Sequence, residues 1–575
     1  MLGGVADADR EEFVAAVLAN PSSKKLVVGG PGTGKTHLFK EFLKGRSGRN
    51  LVLTFINNLV GDLEKALGAH AKVQTFHSYC KGLLHKLPVG GITSRFDYYP
   101  PIIQLISEDI AIIRGGLDPH QVRREIENDL RALAESATLQ EFLQLANYYD
   151  AAGHDDSVYR VVRYLRSRAD FDFELDQLVV DEVQDFNALE MALIELIAKR
   201  VPTLAAGDDD QALYLRKLAS PKYIREMASS GEYAVFSLPY CSRCPQVVVG
   251  AATDVINRAI ANGNLAGRIT KDYVCHWPSK ETDSERYPKV VVAQCSTSTN
   301  AAPYMSRYVL SQIESIPADD IAESWADGHP TALVVGPGHF LKQVYDMLRQ
   351  RFGSNVSSSQ SKESDVAIVD GYTRILMNPN SRLGWRIILH CDPFADRDAV
   401  MVKALRENEE LASLLPTEYV ARHGGNAALI AKVREGQALT DGESNALMKA
   451  IAMDLGSLKR RLALVPEEAE PAMDQSLPRI VVTTLLGAKG LSAGHVFIIG
   501  MIDGHFPRQP NKISDEEVCK FIVGLTRTRK QCHLVTSRWY AAASAKPSVF
   551  LGWISAGRLR RLDVNKEYWD SAGQP

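Results

Sequence analysis

The stretch LVVGGPGTGKTHLFK, residues 26–40, reads as a buried strand, a glycine-rich turn and the start of a helix. The turn fits G-x-x-x-x-G-K-[ST] through Gly29, Gly34, Lys35 and Thr36. The physics of that pattern is anion binding. Glycines let successive backbone N–H groups converge on phosphate oxygens, and the N-terminus of the following helix adds partial positive charge. Lys35 is placed to reach the β- and γ-phosphates, and the Thr36 hydroxyl to ligate Mg²⁺. Gly29, Gly30, Pro31, Gly32, Thr33, Gly34, Lys35, Thr36 and His37 are therefore the candidate phosphate cradle. A second signal lies downstream. The apolar run Leu178-Val179-Val180 delivers Asp181 and Glu182 at its carboxyl end, where one acid can hold Mg²⁺ and the other can orient and deprotonate water.

Around these signals the chain alternates. Residues 1–80 read as strand and helix in turn, with strands at Leu51–Ile56 and Val73–Phe76, which implies a mostly parallel sheet with ligands at its carboxyl edge. Residues 81–170 switch to helical periodicity before the sheet pattern resumes at 178. A second α/β region opens near 237, is interrupted by a charged helical stretch over 378–475, and resumes from 476. The expected organisation is a first α/β domain (1–80 and 171–236) with a helical insertion (81–170), and a second (237–377 and 476–575) with another (378–475).

The chain has 575 residues, 45% hydrophobic and 23% charged, with a formal net charge of -3. That length exceeds one core, and the charge balance means any nucleic-acid track is a local stripe rather than a global field. No secretory leader and no membrane-length apolar run is visible, and eight scattered cysteines fit a reducing cytoplasm. Cys241 and Cys244 form a lone C-x-x-C that reads as ordinary packing.

The acidic signal Asp181-Glu182-Val183-Gln184-Asp185 resembles the DExQD motif of the superfamily 1 DNA helicases of the UvrD/Rep type. Other motifs follow in that family's order: Thr54-Phe55-Ile56-Asn57, Thr75-Phe76-His77-Ser78, Gly207 to Tyr214 (GDDDQALY), Ser242-Arg243-Cys244-Pro245, Gly487 to Leu491 (GAKGL), and Gly524 to Arg529 (GLTRTR). The resemblance implies two RecA-like P-loop NTPase domains with parallel sheets, each carrying a mainly helical insertion, and an ATP site between them. It implies roles residue by residue. Lys35, Thr36 and Asp181 hold ATP and Mg²⁺, and Glu182 is the catalytic base. Gln211 senses the γ-phosphate. Gln184 couples the site to the opposite domain, Gly490 lies at the nucleotide, and Arg243 and Arg527 reach the γ-phosphate as arginine fingers. It implies DNA contacts at Phe55, Asn57, Thr75, Phe76, His77, Tyr214, Thr483 and Thr484.

The implied activity is ATP-dependent 3′→5′ translocation on single-stranded or tailed DNA with unwinding. The alternative is a nucleotide-gated DNA-binding ATPase that regulates a separately encoded nuclease, or a repair or phage-defence protein. Departures from the family pattern cluster at nucleotide and strand reading. Residues 1–35 hold no glutamine, and Ser242, Leu486, Ser492 and Arg216 replace the expected tyrosine, histidine, glutamate and aromatic.

Overall fold

The computed structural model describes residues 5–54, 57–213, 217–295, 301–358, 365–465, 473–540 and 543–572. Two parallel sheets organise the chain. The first has six strands in the order 72–75, 50–54, 177–180, 203–207, 24–29 and 234–238. Its central strands carry unbroken apolar runs: Leu26, Val27, Val28, Leu51, Val52, Leu53, Leu178, Val179 and Val180 are all buried. Such runs are what a sheet covered by helices on both faces requires. All the strand pairings are parallel, so the carboxyl ends of 24–29, 177–180 and 203–207 share one edge. That edge carries the glycine loop, the Asp181-Glu182 pair and the Asp208 turn.

The second sheet has seven strands in the order 356–358, 480–484, 332–336, 493–498, 528–537, 290–295 and 559–564. The fold is thus α/β with two RecA-like domains. The strand Ala234–Leu238 pairs with Lys24–Gly29, so the first sheet runs past residue 236, where the sequence suggested a boundary. Its partial exposure, as at a sheet edge, hid it. Likewise the helix Phe76–Leu84 crosses the expected junction at 80.

Each domain carries a helical insertion. The first holds helices Ile102–Arg114, Pro119–Ala132, Ala137–Tyr148 and His154–Arg166. The second runs from Ile368–Met377 and Arg382–Cys391 through Thr417–Arg434 to Leu455–Arg461. One continuous apolar cluster includes side chains of both insertions. At their junction Arg386, 1% exposed, donates from Nε to Asp109 (2.7 Å) and from Nη2 to Glu108 (2.8 Å). Asp109 is fully buried and also accepts from the Tyr149 hydroxyl at 2.7 Å. The insertions are therefore joined by a paired, hydrogen-bonded buried charge.

Candidate active site

The glycine loop owes its shape to contacts across the domain boundary. Gly32 has φ +72, and a Cβ there would lie 2.4 Å from Cβ of Arg243. A Cβ at Gly30 would lie 2.6 Å from the Tyr273 ring. Only glycine fits both positions. Ser242 N donates to Gly32 O at 3.0 Å, and the Tyr273 hydroxyl donates to Pro31 O at 3.0 Å. Lys35 Nζ donates to Gly29 O (2.9 Å) and Gly30 O (3.4 Å), and the Thr33 hydroxyl donates to Gly30 O (2.9 Å). Lys35 opens the helix Lys35–Leu43, which Gly34 begins without a side-chain cap. Its first N–H groups are thus left for an anion. Thr36 is exposed on that first turn. His37 turns toward the N-terminal helix, 3.5 Å from the Glu11 carboxylate.

The strand Gln177–Val180 ends at Asp181, whose Oδ1 accepts from the Glu182 amide at 2.9 Å. Glu182 sits at φ +59, a conformation costly for a residue with a side chain. The turn is held from behind by an asparagine capping box, Asn187 with Glu190, which starts the helix Ala188–Ala198. Burial and the adjacent Glu182 push the Asp181 carboxyl up to about 7. Burial alone would raise Glu182 too, but Lys489 and Lys35 outweigh it and hold it at about 2. One acid of the pair is kept ionised while its neighbour is poised, which is how environment divides two carboxylates between roles.

The second domain supplies the cations. The helix Asp515–Leu525 is capped by Ser514 and carries Asp515, Glu516 and Glu517 in its first turn, favourable at that end of the dipole. It buries Phe521, Ile522, Val523 and Leu525, and so fixes Arg527 just past its end. Arg527 donates from Nε to Val523 O (3.1 Å) and from Nη2 to the Gln211 side-chain oxygen (2.7 Å). Burial, and then the nearby Arg243 charge, bring its pKa down to about 10. Gln211 is in turn held by Asp208, to which its Nε2 donates at 2.7 Å. Arg243, Arg527, Gln211, Glu182, Asp181 and the Lys35 loop thus lie around one interdomain seam.

Lys489 is the main residue the sequence reading left without a role. It reaches from the second domain, buried at 4% exposure, to hydrogen-bond Asp185, and lies 3.5 Å from Glu182. Burial lowers its pKa to about 8. Its place inside the GAKGL motif was the available signal. Gly490, at φ +84, turns the chain directly after it. Gln184 is fully buried; its Oε1 accepts from Asp208 N at 2.9 Å and its Nε2 donates to Glu182. Those bonds tie the acidic turn to the Asp208 turn within the first domain, rather than reaching across to the second. Cys241 and Cys244 are buried, with Cys244 N donating to the Cys241 sulfur at 3.4 Å.

The expected DNA contacts fare unevenly. Phe76 is 1% exposed and packs edge-on against Phe186 at 4.9 Å between ring centroids. It is core and has no face to offer a base. Thr75 is buried and caps the helix Phe76–Leu84, accepting from Ser78 N. Thr483 is buried within the strand Ile480–Thr484. These three positions are corrected on that ground: their side chains complete the fold. His77, 3.4 Å from Asp155, and Thr484, which accepts from Gly487 N at 3.1 Å, do line an open cleft of about 800 Å³. Phe55, Tyr214 and the Asn57 side chain lie outside the described residues. The cleft also holds Arg123, Arg131, Lys217, Arg508 and Lys520, which no motif marked. Arg123, Arg131 and Lys520 each pair with a neighbouring carboxylate.

A glycine loop, an acidic strand end and arginines delivered from a second RecA-like domain define a two-domain P-loop NTPase of the helicase type. Comparison narrows this. The AAA domain family matches residues 13–217, and the UvrD-like helicase C-terminal domain family matches 398–538. The ATP-dependent DNA helicase PcrA of Leuconostoc citreum is 21% identical over 637 residues, covering 92% of this chain and 82% of the relative. The ATP-dependent DNA helicase UvrD1 of Mycobacterium tuberculosis (strain ATCC 25618 / H37Rv) is 21% identical over 656 residues, covering 91% and 82%. These two domain families and these relatives make the chain similar to the UvrD/Rep-type superfamily 1 helicases, as an ATP-hydrolysing enzyme. Among the described residues, no helix is long and apolar enough to cross a membrane.

Proposed function

We propose that the protein is an ATP-driven DNA motor that moves 3′→5′ on single-stranded or tailed DNA and couples hydrolysis to unwinding. The observation that carries this reading is the 2.7 Å bond from Arg527 to Gln211, which joins the two domains at the hydrolysis site. Hydrolysis needs both domains in contact, so each turnover is tied to their relative motion. ATP phosphates fit the glycine loop and Lys35. Mg²⁺ fits Thr36 and Asp181: burial makes the ionised Asp181 costly, and a divalent cation offsets that cost. When bound, the ion neutralises charge on the transferring phosphoryl group. Glu182, ionised, accepts the proton of the attacking water. Arg243 and Arg527 meet the charge that spreads over the γ-phosphate oxygens.

A second reading is favoured by the buried Arg386 junction, which braces the two insertions. A braced molecule would act as a nucleotide-gated DNA clamp that regulates a separate nuclease, repair or defence protein. Strand displacement separates the readings. The motor displaces a 3′-tailed duplex with ATP and leaves a 5′-tailed duplex intact. DNA-stimulated hydrolysis without displacement of either substrate would favour the clamp. Displacement of the 5′-tailed duplex alone would reverse the polarity.

A further inference from the structure

Asp208, Asp209 and Asp210 form a turn whose side chains are only 1%, 0% and 3% exposed. Their carboxylate oxygens lie within 4.8 Å of one another. Three buried like charges at that spacing repel strongly unless a cation is shared among them. Lys271 provides it. Its ammonium, 2% exposed, lies 2.9 Å from Asp208 Oδ1, 2.7 Å from Asp209 Oδ1 and 2.8 Å from Asp210 Oδ2. Three donors meet three acceptors, and Arg268 and Arg225 add single pairs to Asp210 (2.7 Å) and Asp209 (3.0 Å).

We propose that Lys271 is a positioning residue for hydrolysis, acting through Asp208 and Gln211 on Arg527; this rests on the reading of Arg527 as the arginine finger. Asp208 Oδ1 faces Lys271, and its Oδ2 accepts from Gln211 Nε2 at 2.7 Å. An ionised carboxylate only accepts, so Gln211 must turn its NH₂ to Asp208 and its oxygen away. That oxygen is the atom that accepts from Arg527. A displaced Asp208 would no longer dictate the amide's orientation, and a turned amide would present N–H groups to the guanidinium.

Lys271 also lies on a strap that ties the relevant parts together. Ile269 N donates to Asp209 at 2.9 Å. Asn264 Nδ2 donates to Asp515, at the start of the helix that carries the finger, at 2.9 Å. Tyr273 donates to Pro31 of the glycine loop at 3.0 Å. The strap therefore contacts the acidic turn, the finger helix and the phosphate loop together.

The test is ATP hydrolysis without DNA, together with binding of a fluorescent ATP analogue. Lys271→Met should lower kcat by about 10²-fold, the scale of a misplaced catalytic group, while analogue affinity stays near wild type. Lys271→Arg should recover part of the loss. In a Gln211→Ala background, Lys271→Met should add little. Equal losses in both backgrounds, or affinity falling in step with kcat, would overturn the proposal. If Lys271→Met does not fold, Lys271→Met with Asp210→Asn removes one of the charges it balanced and is read the same way. Wild-type hydrolysis that DNA neither stimulates nor couples to displacement would sink the motor reading and leave the Lys271 result standing.

Discussion

Lys489 concentrates the electrostatics of the site into one titration. Its pKa is brought down to about 8 by burial, so it loses its charge as pH rises through that value. Turnover should then fall on the alkaline side, because Glu182 and Asp185 lose their shared cation. Lys489→Arg, which stays charged, should move that limb upward in a pH–rate profile. A limb that does not move would separate Lys489 from the chemistry. Glu182→Gln should retain nucleotide binding and lose turnover by about 10²-fold or more, as removal of a general base does; near-normal turnover would reassign the base. Phe76→Ala should cost about 3–5 kcal/mol of stability in denaturant unfolding, with no selective loss of DNA affinity. Positions differ in legibility for physical reasons. Glu182 stands out as a candidate because phosphoryl transfer demands an acid at a strand end. Phe76 was not legible, because an aromatic after an apolar strand looks the same whether it stacks on a base or fills the core. Lys271 and Lys489 were not, because their partners are distant in sequence.

At the scale of elements, the strands that carry the site were legible as uninterrupted apolar runs, and their carboxyl ends as the places where polar motifs begin. The edge strand Ala234–Leu238, partly exposed, lacks that signature, and the expected boundary at 236 cuts through it. Sheet order rests on pairings between distant segments that no local pattern encodes. The insertions were legible as helical, but not their union. Arg386 and Asp109 are far apart in the chain and meet with exposures of 1% and 0%. Arg386→Ala should destabilise the insertions by about 3–5 kcal/mol, because it strands buried carboxylates. Replacing both Arg386 and Asp109 by leucine should recover much of that loss in the same unfolding measurement. If Arg386→Ala melts like wild type, the junction is not a brace.

Across the whole molecule, the hydrolysis site is a seam. The first domain contributes Lys35, Thr36, Asp181, Glu182 and Gln211; the second contributes Arg243, Lys489 and Arg527. Most of these positions stand out in the sequence because they fall in motifs whose order matches that of helicases 21% identical to this chain. The sequence could not show the seam itself, where Arg527 meets Gln211 and Lys489 meets Asp185. On the proposed reading neither domain completes the site alone, so hydrolysis requires the two domains to meet. On the proposed mechanism Arg527 crosses this seam to complete catalysis. The direct test is steady-state ATP hydrolysis by wild type and Arg527→Ala, each with and without single-stranded DNA. Single-stranded DNA should accelerate wild type, and Arg527→Ala should lose about 10³-fold or more in kcat in both conditions while still binding nucleotide. Arg527→Ala turning over at the wild-type rate, with or without DNA, would rule out Arg527 as the residue that completes catalysis.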